Sequence, residues 1–203
     1  MIKVVLLGDS IRASGYGNVV PELLGEEYEV YQPNVNGRNA KYTLRCLFDY
    51  ASQMAGSRIV HWNNGLWDIC NLFGDGTFST EDEYVTTMLR IADILLSRYD
   101  KVIFATTTPV SPQNIYNDNE DIQRFNALVV PKLQEKGVII NDLYTPVAAD
   151  IEKYICEDLI HLSQAGVELC AGLVADAVRQ AAKMLPTVTE ERVLIEKETG
   201  APV

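Results

Sequence analysis

Three residue types near the two ends of the chain could together activate an oxygen nucleophile. Gly8-Asp9-Ser10 follows directly on the apolar run Ile2 to Leu7, and Asp158-Leu159-Ile160-His161 precedes the last long helical pattern. A free serine hydroxyl is a poor nucleophile. An imidazole beside it can take its proton, and a carboxylate behind the imidazole fixes the tautomer and stabilises the charge that forms. The three-residue offset lets Asp158 and His161 share one loop, with one ring nitrogen on Asp158 and the other facing Ser10. Each segment also has a plainer interpretation, Ser10 as a helix cap and Asp158 with His161 as solvated groups at a helix start. The chain has only two histidines. The other, His61, falls inside an apolar run that reads as a central strand, where a hydrogen-bonded core histidine is expected rather than a base within reach of a nucleophile's proton.

The elements that must position these groups are legible from periodicity. Candidate strands are Ile2–Leu7, Tyr28–Gln32, Arg58–Trp62, Lys101–Thr106 and Val138–Ile140. They are rich in Val and Ile and mostly continuous rather than alternating, as strands buried on both faces are. A helix over Tyr42–Gln53 puts Leu44, Leu47, Phe48 and Ala51 on one face. Thr80 to Glu83 is a capping box, and the helix it opens should bury Tyr84, Met88, Ile91 and Leu95. Asn119–Glu135 carries Ile122, Phe125, Val129 and Leu133 at helical spacing, with Gly137 as its stop and Pro131 expected to kink or break it. Thr145-Pro146 reads as an N-cap followed by proline at the first helical position, and Ser163 as the cap of the final helix. The order βαβαβαβαβα predicts an α/β fold, a flavodoxin-like, three-layer doubly wound sheet of about five parallel strands flanked by helices. Functional groups in such sheets gather beyond the carboxyl ends of the strands. Ser10, Gly37, Asn63 with Asn64, and Thr107 with Thr108 each follow a candidate strand, so all fall on one rim.

The pair of segments resembles the SGNH (GDSL-type) hydrolase family, whose nucleophile lies in a GDS segment after the first strand and whose acid and base lie in a DxxH segment before the last helix. The resemblance implies Ser10 as nucleophile, His161 as base and Asp158 as its orienting acid. It also implies an oxyanion hole made of a glycine after the second strand, an asparagine after the third and the nucleophile's own N–H. Gly37 in Asn34-Val35-Asn36-Gly37-Arg38-Asn39 carries over as that glycine. The third segment departs from the family's GxND: the chain has His61-Trp62-Asn63-Asn64-Gly65-Leu66-Trp67-Asp68. One register puts Trp67 where the asparagine belongs. The other, favoured here, gives the role to Asn64, with Asn63 as its near alternative. Asp9 and Asp68 are expected to accept hydrogen bonds from rim backbone groups, and Thr106 to Pro109 to shape a wall. Arg12, Trp62 and Trp67 are candidate substrate contacts, the arginine for an anionic group and the tryptophans for a sugar ring.

Composition bounds the rest. The 203 residues, 47% of them hydrophobic and 22% charged, suit one domain, assigned to 1–186, with 187–203 as a C-terminal extension. A net charge of −11 disfavours nucleic acid and anionic lipid surfaces as partners. No apolar run is long enough for a membrane span, and the first nine residues are too short and too quickly polar for a secretory leader, so the cytoplasm is the expected location. The four cysteines show neither CxxC spacing nor a histidine cluster, so no metal site is expected, and the expected serine chemistry needs no organic cofactor. The expected activity is serine-dependent hydrolysis of a carboxylic ester through an acyl-enzyme, with a small acyl group on a carbohydrate favoured. Longer acyl chains, as in a lysophospholipase or thioesterase, and a non-catalytic binding protein on the same scaffold are the alternatives.

Overall fold

A computed structural model describes residues 1–187; apart from Thr187, the expected C-terminal extension lies outside the described residues. Strand β1 (Ile2–Leu7) leads into two short helical turns, Ile11–Gly15 and Tyr16–Asn18, and then α1 (Val20–Leu24). There follow β2 (Tyr28–Tyr31), α2 (Ala40–Asp49), α3 (Ala51–Met54), β3 (Ile59–Asn63), α4 (Leu66–Ile69) and α5 (Glu81–Arg98). The chain continues through β4 (Lys101–Ala105), α6 (Asn119–Glu135), β5 (Ile139–Asn141), α7 (Tyr144–Ala148) and α8 (Ile151–Tyr154) to α9 (Gln164–Lys183). The five strands form one parallel sheet in the order β2-β1-β3-β4-β5. All five residues of β3 are buried, as are the last four of β1 and of β4, which is why these runs lack alternation. Helices α1 and α9 pack together on one face; α2, α5 and α6 pack in series on the other.

This order has a direct consequence for function. From β1 the chain winds outward to β2, then returns past β1 to β3 and continues the opposite way, so the connections diverge between β1 and β3. A crevice opens at the carboxyl ends of such a pair. The register pairs Leu7 with Trp62, which sets the Gly8–Ser10 turn beside Asn63 and Asn64.

Several helix ends follow the expected chemistry. Thr80 and Glu83 form the reciprocal capping box, and Ser163 caps α9 by accepting the N–H of Gly166. The expected helix over Tyr42–Gln53 begins two residues earlier, because Asn39 accepts the N–H of Tyr42, and it is interrupted at Tyr50. Helix α6 runs through Pro131 unbroken. The proline is exposed near the helix end, while Ile122, Phe125, Val129 and Leu133 bury the opposite face, and that burial outweighs one lost ladder bond. Thr145 is not a cap. Helix α7 starts at Tyr144, and Thr106 Oγ1 accepts the N–H groups of both Leu143 and Tyr144 across the sheet rim.

Candidate active site

Ser10 leaves β1 through Gly8, whose φ of +152° suits glycine and little else. A Cβ there would stand 1.9 Å from Asn63 Oδ1, so the glycine also lets β3 approach. Asp9, fully buried, accepts the N–H of Ile11 at 2.9 Å and the Nδ2 of Asn63 at 2.7 Å. Tyr16 donates its hydroxyl to Asn63 Oδ1 at 2.9 Å. The turn carrying Ser10 is thereby bolted to the end of β3.

His161 reaches this turn from the loop before α9. Its Nε2 lies 2.8 Å from Ser10 Oγ, and its Nδ1 lies 2.6 Å from Asp158 Oδ2. The other carboxylate oxygen of Asp158 accepts the N–H groups of Ile160 at 3.0 Å and His161 at 2.8 Å, together with the thiol of Cys156. Partial desolvation works to raise the Asp158 pKa, yet these donors together hold its carboxyl well below the usual range. The loop closes on itself through Cys156 N–H to His161 O and a bridge between Ile155 and Leu162. Ser10, His161 and Asp158, separated by nearly the whole sequence, thus form one continuous hydrogen-bonded line. His61 stands apart: it is fully buried, its Nε2 meets Asn141 Nδ2 at 3.2 Å, and burial pushes its pKa down to about 3.

Most of the residues expected to surround this line have hydrogen bonds committed within the rim or lie buried. The N–H of Gly37 donates to Gly8 O at 2.8 Å, and a Cβ on Gly37 would stand 2.5 Å from that oxygen. The glycine therefore serves close packing of two loops, and its N–H is committed there rather than to an oxyanion. Asn64 is fully buried and spends both amide hydrogens, on Arg38 O at 3.0 Å and Thr43 Oγ1 at 2.9 Å. Asn63 is tied to Asp9 and Tyr16 as above. Arg12 is a correction: it is buried rather than presented at the surface, donating to Gln32 Oε1 and to the carbonyls of Pro33, Gly8 and Val35, so its guanidinium fastens loops together. Trp62 is another, since it is wholly buried with its ring 5.0 Å from that of Phe104. The continuous apolar run around it already signalled a core strand. Of the three candidate contacts only Trp67 reaches the surface, at 42% exposure.

Asp68 does accept backbone, as expected: Ala40 N–H binds Oδ2 and Ser79 Oγ binds Oδ1, both at 2.9 Å. Burial pushes its carboxyl up to about 7, against the pull of those two donors. Burial likewise pushes Asp9 up to about 6. Sequence reasoning passed over Thr43 and put Thr107 on the rim without this role: the hydroxyls of Tyr16, Thr43 and Thr107 hold the rim together, Thr107 Oγ1 donating to Asn64 O at 2.9 Å. No spacing rule marks a threonine that acts across strands.

No protein-family model and no curated protein matches the chain. Solved structures do. A lipase/acylhydrolase from Enterococcus faecalis superposes with a TM-score of 0.76 at 20% identity, covering 93% of this chain and 100% of its own. The acetyl xylan esterase AlAXEase gives 0.74 at 20% identity, over 87% of this chain and 100% of its own. An acetylxylan esterase from Geobacillus stearothermophilus gives 0.68 at 17% identity, over 89% and 93%. Across the described sheet and helices, the chain has the α/β, SGNH-like fold found in these solved acylhydrolases and esterases.

Proposed function

We propose that the protein is a serine-dependent carboxylic-ester hydrolase of the SGNH type, and the observation that carries this is the Ser10–His161–Asp158 line. Ser10 Oγ attacks the ester carbonyl while His161 Nε2 takes its proton. The tetrahedral intermediate collapses, the bond to the alcohol oxygen breaks, and His161 returns the proton to the leaving alcohol. Water, deprotonated in turn by His161, then attacks the acyl-enzyme and frees Ser10. Asp158 stays ionised, holds the Nδ1–H and stabilises the imidazolium. Its depressed pKa supports that role.

The oxyanion falls to the N–H of Ser10, which starts a helical turn and so has no carbonyl one turn earlier to receive it. Gly37 joins it only if its N–H leaves Gly8 O on substrate binding. Asn63 and Asn64 act through the rim they hold together.

For the substrate we infer a small acyl group on a carbohydrate. Two of the structural neighbours are named as acetylxylan esterases, and Trp67 is a half-exposed aromatic close after β3. A second reading, a longer acyl chain, has its own observation. Leu72, Phe73, Phe78, Ile115 and Tyr116 are all exposed on two loops joined by Asn71 N–H to Tyr116 O at 2.7 Å.

The test is hydrolysis of p-nitrophenyl acetate by the wild type and by Ser10→Ala, with circular dichroism to show that both fold. Turnover lost in the variant alone is expected; equal rates would remove Ser10 from the reaction. A series of p-nitrophenyl esters then separates the two substrates. Falling kcat/KM with chain length supports acetate. A rise beyond about eight carbons, each buried methylene contributing about 0.8 kcal/mol, supports the long-chain reading.

A further inference from the structure

The hairpin-like loop from Ile155 to Leu162 is closed mostly by its own bonds, so Asp158 and His161 keep their mutual geometry wherever that loop goes. What aims the pair at Ser10 must come from outside it. At its tip Leu159 adopts the left-handed region, φ +72°, which a leucine leaves readily unless held. Its carbonyl is held by the loop between β4 and α6: Ser111 N–H donates to it at 2.9 Å and Asn114 Nδ2 at a longer 3.4 Å.

Asn114 is the hub of that second loop. Its N–H donates to Ser111 O at 2.9 Å, and its Oδ1 accepts the N–H groups of Tyr116 at 2.9 Å and Asn117 at 2.8 Å. Asn117 Nδ2 in turn donates to Leu66 O at 2.9 Å, and Tyr116 O accepts from Asn71 N–H, so the loop is anchored to the segment that follows β3. A chain of bonds therefore runs from the end of β3, beside Ser10, through Asn114 to Leu159.

We infer that Asn114 is a positioning residue, which folds the β4–α6 loop into the clamp that holds Leu159 and thereby sets His161 over Ser10. The inference rests on the serine-hydrolase reading above. Displacing a base by about 1 Å costs up to about 10²-fold in rate. Asn114→Ala is expected to lower kcat about 10- to 100-fold with KM nearly unchanged, and to slow labelling of Ser10 by a p-nitrophenyl phosphonate in parallel. The far-downfield proton resonance of His161 Nδ1–H donating to Asp158 should persist, because that pair lies within its own loop. Asn114→Asp keeps both acceptor contacts of the turn and is expected to regain most of the lost rate.

An Asn114→Ala variant with wild-type kcat and labelling rate overturns the proposal. So does one that loses the downfield resonance or its cooperative melting together with activity, since the loop would then be merely structural. A wild type that the phosphonate does not label overturns the serine-hydrolase reading itself, which distinguishes the two failures.

Discussion

At the scale of single residues, the candidate site is a contrast among carboxyl groups. Asp158 is half-exposed, surrounded by donors, and held ionised well below the ordinary range. Asp158→Asn keeps the shape but presents an amide to His161 Nδ1 and favours the wrong tautomer. It should lower kcat by about 10²–10⁴ with the fold intact, read by ester turnover alongside circular dichroism. Asp9 lies beside Ser10 yet is buried, and serves Ile11 and Asn63. Asn63→Ala removes a partner from two buried groups at once, Asp9 and the Tyr16 hydroxyl. A loss of about 1–3 kcal/mol in urea unfolding is expected, with activity falling because the Ser10 turn loosens. Gly8→Ala should be worse, combining a disfavoured φ with a steric clash against Asn63. Ser10, His161 and Asp158 were legible in the sequence because chemistry restricts them to few residue types. Arg12 and Trp62 were misread because type says nothing about burial: guanidinium and indole suit ligands and loop carbonyls or cores equally.

At the scale of elements, helix ends place the loop that carries Asp158 and His161. Ser163 caps α9 two residues after His161; its hydroxyl accepts Gly166 N–H at 3.1 Å and donates to Lys153 O at 2.6 Å. Ser163→Ala should cost about 1 kcal/mol in thermal or urea unfolding, and should loosen the connection from α8 to α9 that carries the His161 loop. The strands were readable because burial on both faces demands uninterrupted apolar residues. The start of α7 was not, because its N–H groups are satisfied by Thr106, nearly forty residues earlier in the chain. Nor was the continuity of α6 through Pro131, since a local rule cannot weigh a proline against an apolar face on the opposite side.

At the scale of the whole molecule, the buried carboxyls shape stability against pH. Burial raises Asp68 from 3.8 to about 7 and Asp9 from 3.8 to about 6. Between about pH 4 and 7 the folded protein then holds protons that the unfolded chain has released, so raising the pH pulls toward the unfolded state. These two groups stabilise fully only below about pH 4, and their contribution is lost as pH rises through 6 and 7. Asp158 has the opposite sign: its depressed pKa contributes above the ordinary carboxylate range and is lost in acid. Asp68→Asn should flatten the decline of urea-unfolding free energy between pH 5 and 7.5. An unchanged slope would show that Asp68 is ionised throughout. No helix among the described residues is long and apolar enough to cross a membrane.

By itself the sequence determined the strand order along the chain, the longer helices α2, α5, α6 and α9, the parallel sheet and the three residues that line up at its rim. Each of those follows from local periodicity or from the narrow choice of side chains able to act as nucleophile, base and orienting acid. Tertiary structure alone decided which donors are free. Gly37, Asn63 and Asn64 carry suitable N–H groups in suitable places along the chain, but the Gly37 N–H is bonded to Gly8 O, both amide hydrogens of Asn64 go to Arg38 O and Thr43 Oγ1, and Asn63 gives one of its two to Asp9; those acceptors arrive from other strands and loops. The role inferred for Asn114 depends on tertiary structure in the same way, because the loop it folds meets the carbonyl of Leu159 through Ser111 N–H, from a segment far along the chain.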